Sequence, residues 1–211
     1  MCPVNIFTYN VRGLGRGIKW TAIRRLVKKH KVDLLCLPET KKQQIDTKMC
    51  QSLWGDNDVT WELQPAINTT GGLLCLWSEE SFNVERRVSG RGFILLEGVW
   101  RKEAQKVFIV NIYAPCDSHN KRILWESLKQ IKDQNPRSLW CMLGDFNSVR
   151  NASERVGISQ RGVDDTPIND FNEWLDDVEV IEPPCIGSKY TWFRPNGTAI
   201  SKLDRAFISP E

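Results

Sequence analysis

The sequence predicts one α+β domain, and three observations carry that prediction. Five β-rich runs follow one another between turn signals, amphipathic helical stretches flank them, and no linker, repeat or low-complexity segment divides the chain. Its 211 residues suffice for a single domain that buries roughly 70% of its unfolded surface. Seven cysteines, an odd number with no Cys-x-x-Cys pair, read as buried free thiols in a reducing compartment and exclude a zinc cluster or disulfide framework. No charged region leads into an apolar one at the amino terminus, and no apolar run reaches membrane-spanning length. An intracellular protein with no membrane partner is the expectation.

In chain order, Val4 to Tyr9 alternates as a strand does and ends at Asn10, ahead of the flexible Gly13-Leu14-Gly15-Arg16-Gly17. From Ile18 to His30, Ile18, Ala22, Ile23, Leu26 and Val27 recur at helical spacing among Arg24, Arg25, Lys28 and Lys29, which predicts an amphipathic helix with a basic outer face. Asp33 to Leu37 reads as a strand stopped by Pro38, with Glu39 next. Residues 42 to 55 read as helical or irregular. The runs Val59 to Leu63, Leu73 to Trp77, Phe82 to Val88, Phe93 to Trp100 and Lys106 to Tyr113 suit consecutive antiparallel strands, with Gly71-Gly72 and Gly90-Arg91-Gly92 between them. Lys121 to Asp133 is a second helix. Leu139 to Gly144 is a buried strand, and the polar segment Ser148 to Asp165 is a long surface loop. Pro167 opens a third helix with Phe171, Trp174, Leu175 and Val178 on one face. Lys189 to Phe193 and Ser201 to Ser209 read as two strands joined by Arg194-Pro195-Asn196-Gly197.

The net charge of +3 conceals an asymmetry. Residues 12 to 42 carry Arg12, Arg16, Lys19, Arg24, Arg25, Lys28, Lys29, Lys31, Lys41 and Lys42 against Asp33 and Glu39. Residues 164 to 182 carry Asp164, Asp165, Asp170, Glu173, Asp176, Asp177, Glu179 and Glu182 with no basic companion. Such a field orients a polyanion, although two solvated helix faces of opposite sign account for the same residues.

Chemistry concentrates where strands end. After Leu139-Trp140-Cys141-Met142-Leu143-Gly144, an extended backbone directs Asp145 and Asn147 into one cleft and Phe146 toward the core. Asp145 can orient water or accept its proton, and Asn147 offers a neutral amide donor. An Asx turn is the plainer explanation of the same pair. Asn10, Glu39, Tyr113, Thr191 and Asp204 occupy comparable positions at the ends of other strands.

With their contexts Tyr9-Asn10-Val11-Arg12-Gly13, Leu37-Pro38-Glu39-Thr40-Lys41, Ile112-Tyr113-Ala114-Pro115, Gly144-Asp145-Phe146-Asn147, Tyr190-Thr191-Trp192 and Ser201-Lys202-Leu203-Asp204-Arg205, these residues resemble the endonuclease/exonuclease/phosphatase superfamily. The resemblance runs from residue 4 to the end of the chain. Gly71-Gly72-Leu73-Leu74-Cys75-Leu76-Trp77, Glu154-Arg155 and Phe193-Arg194-Pro195-Asn196-Gly197 look like the endonuclease domain of plant LINE-type retrotransposons. The implied fold is a four-layered α/β/β/α sandwich of two packed, mainly antiparallel sheets with helices outside, here over residues 1-211 and lacking its last strand or strands. The implied activity is nicking of DNA by water attack, with magnesium, or manganese in its place, as cofactor.

Carried over residue by residue, the resemblance makes Glu39 and Asn10 metal ligands and Asp145 the group that activates water. Asn10 and Asn147 bind the scissile phosphate or the carboxylates around it. Tyr113 donates toward developing charge, and Asp204 orients a histidine. Arg12, Thr191, Trp192 and Arg194 become contacts to nucleic acid. The family's closing Ser-Asp-His segment has no counterpart before Ser209-Pro210-Glu211, and neither His30 nor His119 neighbours a Ser-Asp pair. Asp204 then has Arg205 or Lys202 as alternative salt-bridge partners. Removing one member of such a constellation lowers the rate about 100- to 10,000-fold, and here two members are missing together with at least one strand, so strong hydrolysis is not expected. The remaining expectations are a DNA substrate, a monomer without an obligate protein partner, and a nuclear location if chromosomal DNA is the target. Two alternatives stand: a non-catalytic nucleic-acid-binding remnant, and a phosphatase acting on a small phosphoester such as an inositol phosphate or lipid headgroup.

Overall fold

The computed structural model describes residues 4–15, 17–68, 70–157 and 165–210. Expectations for Arg16, Asp164 and residues 158–164 of the predicted loop fall outside them. The elements in order are β1 (Ile6–Thr8), α1 (Ile18–His30), β2 (Leu34–Pro38), α2 (Thr47–Trp54), β3 (Thr60–Gln64), β4 (Leu73–Trp77), β5 (Phe82–Gly90), β6 (Phe93–Trp100), β7 (Gln105–Tyr113), α3 (Ser118–Asp133) and β8 (Leu139–Asp145). A 3-10 turn at Ala152–Glu154 leads into β9 (Arg155–Val156), α4 (Thr166–Asp177), β10 (Trp192–Phe193), β11 (Ile200–Ser201) and β12 (Asp204–Ile208).

Two mixed sheets face each other. One has the order β1-β2-β4-β3 and the other β12-β8-β7-β6-β5, with β1·β2 and β7·β8 parallel and the remaining pairs antiparallel. Strands buried on both faces require continuous apolar runs, and Leu34–Pro38 and Leu73–Trp77 are buried throughout. Between the sheets, Leu34, Cys36, Leu73 and Trp77 meet Phe82, Ile94, Leu96 and Ile109. Outside the first sheet, α1 and α2 cover Leu35, Leu37, Leu74 and Leu76 with Ile23, Val27, Met49 and Leu53. Outside the second, α3 and α4 cover Phe108, Val110 and Met142 with Leu124, Trp125, Leu128, Phe171 and Trp174. Three apolar seams thus separate four layers, and this is the α/β/β/α sandwich.

Several sequence expectations need correction. The runs after β3 do not all pair consecutively, because β4 and β5 lie in different sheets. Pro38 does not stop β2; it is the strand's last residue, opposite Leu73. The unassigned 42–55 segment holds α2, started by the Asp46 side chain, which accepts from the Met49 N–H at 2.7 Å. Ile18 and Ala22 are exposed, so the buried stripe of α1 is narrower than its periodicity suggests. The final predicted strand divides in two: β11 joins β10 and β9 in a three-stranded ribbon, whereas β12 enters the large sheet beside β8. Cys36, Cys50 and Cys75 are buried, but Cys116 and Cys185 are exposed.

Phe146 is fully buried and packs against Phe171, Trp125 and the edge of Phe207, with ring centroids 5.1 Å apart for the last pair. Phe146→Ala is expected to cost about 3–5 kcal/mol, read from urea unfolding. A loss below about 1 kcal/mol would show that this cluster does not anchor the end of β8.

Candidate active site

The strand ends converge on one rim. β1 leads to Asn10 and β2 to Glu39. In the facing sheet β7 delivers Tyr113 opposite Asp145 of β8, and Asp145 in turn lies opposite Asp204 of β12. Residues directly opposite on neighbouring strands have Cα atoms about 5 Å apart, so Tyr113, Asp145 and Asp204 form a row. Gly144 makes this row possible. Its φ is +132°, and a Cβ there would stand 2.1 Å from the Ile112 carbonyl oxygen.

A side-chain hydrogen bond joins the two sheets at the rim: Asn10 Nδ2 donates to Asp145 Oδ2 at 2.7 Å. Asn10 Oδ1 accepts from the Arg12 N–H at 3.0 Å, which fixes the amide's orientation. The segment around Glu39 is held from both sides. Gly13 N–H donates to the Glu39 carbonyl at 2.7 Å, and the N–H groups of Thr40 and Lys41 donate to Gly72 and Gly71 at 2.9 Å. Gly72 has φ +83°, and a Cβ there would meet the Thr40 hydroxyl at 2.5 Å. Arg12, Glu39, Lys41 and Asn147 all adopt left-handed backbone, with φ of 45°, 57°, 55° and 46°. Each costs about 1 kcal/mol or more for a residue with a Cβ, and these are four of the eight non-glycine residues with positive φ among the described residues.

Asn147 departs from the expected extended geometry. Its N–H donates to Asp145 Oδ1 at 2.9 Å, so the pair does form an Asx turn. The Asn147 amide donates to the Ala114 carbonyl at 2.7 Å. The turn and the site are thus one structure: Asp145 receives one hydrogen bond on each oxygen and is held at the rim. Phe146 points to the core as predicted.

Burial raises the Asp145 pKa to about 6, and the charges of Asp204 and Glu39 add to the shift while the hydrogen bonds from Asn147 and Asn10 oppose it. Burial likewise raises Asp204, against a hydrogen bond with Thr191 and the nearby Arg12 charge. Burial, Glu39 and Asp145 push the Tyr113 phenol upward, so it remains a proton donor at any working pH. Glu39 is paired with Lys41 Nζ at 3.2 Å, its side chain 17% exposed. Every donor here is oxygen. Among the described residues no group of three or more His, Cys, Asp or Glu encloses an ion. A sparse oxygen set suits magnesium, which keeps several waters, and does not suit zinc.

Other predicted residues have different surroundings from those expected. Asp204 does not pair with Arg205 or Lys202, which reach Glu182 instead. The Thr191 hydroxyl accepts from the N–H groups of Leu203 and Asp204 at 3.0 and 2.9 Å, so it holds the start of β12. Trp192 is half-buried on β10, while Arg12 and Arg194 are exposed. His30 lies 6.4 Å from the Phe7 ring at the end of α1, and His119 is exposed in the first turn of α3.

Two features escaped the sequence reading. Lys121 is 8% exposed and donates to the Asn147 carbonyl at 2.5 Å, locking the left-handed residue from behind. Arg205, its side chain fully buried, donates from Nη1 to both carboxylate oxygens of Glu182 at 2.9 Å and from Nη2 to Glu154, which caps the Arg150 N–H at 2.7 Å. Burial pushes Glu182 up, but Lys202 and Arg205 outweigh it and hold its carboxyl below the ordinary value. The network ties the 150–156 segment to the strand bearing Asp204. Its signal lay in the Glu154-Arg155 and Lys202-Leu203-Asp204-Arg205 motifs, but nothing in the sequence marked Glu182 as their common partner.

A carboxyl whose pKa is raised by folding is favoured protonated in the native state, so its contribution to stability is present at low pH and lost as pH rises. From the ordinary value of 3.8 to about 6, Asp145 should remove on the order of 3 kcal/mol from the metal-free protein. Between pH 4 and 7 in chelator, the unfolding free energy of the wild type is expected to fall relative to Asp145→Asn. Parallel curves would contradict the buried carboxylate.

A sequence comparison with curated proteins finds no match. The solved structures give a consistent fold likeness. The AP endonuclease LMAP from Leishmania major superposes with TM-score 0.77 at 16% identity, covering 98% of this chain and 79% of that one. The endonuclease domain of TRAS1, a telomere-specific non-LTR retrotransposon, gives 0.70 at 12% identity, covering 98% and 85%. The 3′ phosphatase NExo from Neisseria, solved with a product DNA hairpin, gives 0.70 at 17% identity, covering 99% and 87%. The sequence profile of the Endonuclease/Exonuclease/phosphatase family matches residues 7–211, so the strand-end rim belongs to a member of that family.

Proposed function

We propose that this chain is a metal-dependent endonuclease domain that nicks DNA by water attack on a phosphodiester, of the kind carried by LINE-type retrotransposons. The observation that carries the reading is Asp145: a buried carboxylate, hydrogen-bonded on both oxygens by Asn10 and Asn147, with Glu39 and Asp204 close enough to act on its charge. Burial and those like charges raise its basicity, which suits a group that takes a proton from water.

Glu39, with Asn10 on the same rim, would hold magnesium, or manganese in its place; Glu39 otherwise pairs with the Lys41 ammonium. When bound, the ion supplies charge stabilisation at the phosphate oxygens. Asp145 accepts the proton of the attacking water, and the Tyr113 phenol donates a hydrogen bond to the charge that develops. Asn10 keeps Asp145 oriented, and Asn147 fixes the turn from which it projects. Arg12 and Arg194 are exposed cations available to flanking phosphates, and Trp192 offers a ring to a base.

One observation favours a second reading, a nucleic-acid-binding domain with weak hydrolysis: Asp204 has the Arg12 charge near it, and that exposed cation is available to a phosphate. Supercoiled-plasmid nicking in magnesium separates the two. Asp145→Ala and Glu39→Ala are each expected to slow nicking on the order of 100- to 10,000-fold, and chelator to abolish it. Equal nicking by all three proteins would end the enzymatic reading. Lys121→Met, which keeps the aliphatic stem but removes the donor behind Asn147, should lower kcat about 10- to 100-fold with little change in KM. An unchanged kcat would show that the Asn147 turn needs no support.

A further inference from the structure

We propose that the groove between α1 and α2 is a second nucleic-acid site, which holds a single strand as it leaves the catalytic rim; its ligand class rests on the endonuclease reading. Two hollows of about 470 and 440 Å³ lie side by side, with Lys48 and Ser52 common to their walls, and together make up this groove. The first has Trp20, Ile45 and Met49 on its walls together with Lys42 and Lys48, and the second adds Arg24.

Charge on this face is unspent. Among the described residues Arg24, Lys28, Lys42 and Lys48 take part in no ion pair. The acidic helix on the other side is partly neutralised, since Arg122 pairs with Asp170 at 2.8 Å and Lys129 with Asp177 at 2.5 Å. Two of the free cations have a structural reason for their place. The stems of Arg24 and Lys28 lie over Gly55, where a Cβ would meet them at 2.9 and 2.7 Å, at the carboxyl end of α2, which attracts positive charge. Lys48 has none: it stands in the first turn of α2, where the helix dipole disfavours a cation, and that turn holds no acid. The walls also hold two acids, Asp46, turned to the Met49 N–H, and Asp56, which accepts from the Asn57 N–H.

The groove connects to the rim. Lys42 follows Glu39 by three residues, so their Cα atoms are at most about 11 Å apart. Trp20 Nε1 donates to the Leu14 carbonyl at 3.2 Å, and the Leu14 N–H donates to the Thr40 carbonyl at 2.9 Å, so the groove wall is hydrogen-bonded to the segment that carries Glu39. An aromatic and apolar wall beside free cations is the arrangement that binds bases and phosphates of an unpaired strand. A duplex, its bases already stacked, would have no use for the indole.

The test is anisotropy of a labelled 15-nucleotide oligo(dT) in chelator, where no turnover occurs, across a salt series. Lys42→Gln/Lys48→Gln is expected to bind at least 10-fold more weakly and to lower the salt slope by about 1.4, two phosphate contacts at roughly 0.7 each. Trp20→Ala should leave the slope unchanged and lose a preference of about 5-fold or more for oligo(dT) over an abasic strand of equal length, while Trp20→Phe, which preserves packing, should keep it. Wild-type affinity and slope in the lysine variant would overturn the proposal, as would duplex DNA that competes equally per phosphate. Failure of the endonuclease reading has a separate signature: cleavage that does not depend on Asp145, whatever the binding curves give.

Discussion

The hydrogen bond from Asn10 to Asp145 joins two sheets at their common rim, and the site depends on that junction. Its partners are 135 residues apart in the chain and belong to different layers. Sheets packed face to face bring their strand ends to the same height only if the seam between them is well filled, here by Leu34, Cys36 and Trp77 against Phe82, Ile94 and Ile109. The apolar seam sets the distance, and the polar bond at its edge sets the orientation of one carboxylate.

That carboxylate is costly to keep. Asp145 is buried, faces Asp204 and Glu39, and is favoured protonated by its surroundings. The neighbouring backbone is strained in the same sense, with Arg12, Glu39, Lys41 and Asn147 left-handed. Strain and like-charge crowding in one place are tolerated because structure further out over-determines them. Lys121 supports Asn147, the glycines at 71 and 72 receive the Glu39 segment, and the Arg205–Glu154–Glu182 network clamps the strand carrying Asp204. A buried ion network contributes little net stability, so fixing the register of β12 against the 150–156 segment is the better account of it.

The charge asymmetry has two different outcomes. On α4 the acids Asp170 and Asp177 are partly matched by α3, and so help hold two helices together. On α1 and α2 the cations form no ion pair among the described residues, and Arg24 and Lys48 line a groove beside the rim. One sequence feature, a block of like charge, is therefore partly packing in one place and surface in the other.

The sequence by itself placed most of the secondary elements and set polar residues at the strand ends, while α2 and the division of the last strand lay beyond it. Helix α1 and strands β4 and β6 have the bounds that periodicity predicted, because an apolar stripe or run can be buried in only one local conformation. Asn10, Glu39, Tyr113, Asp145 and Asp204 were legible as polar residues at strand ends. Tertiary structure alone decided what they touch. That β4 and β5 part into different sheets, that the last predicted strand divides between ribbon and sheet, and that Thr191 supports β12 all follow from long-range pairing. Lys121 behind Asn147, and Glu182 between Arg205 and Lys202, were beyond sequence reading for the same reason. A buried cation or a shared carboxylate is defined by the partner that folding brings to it, and local pattern carries no record of that partner.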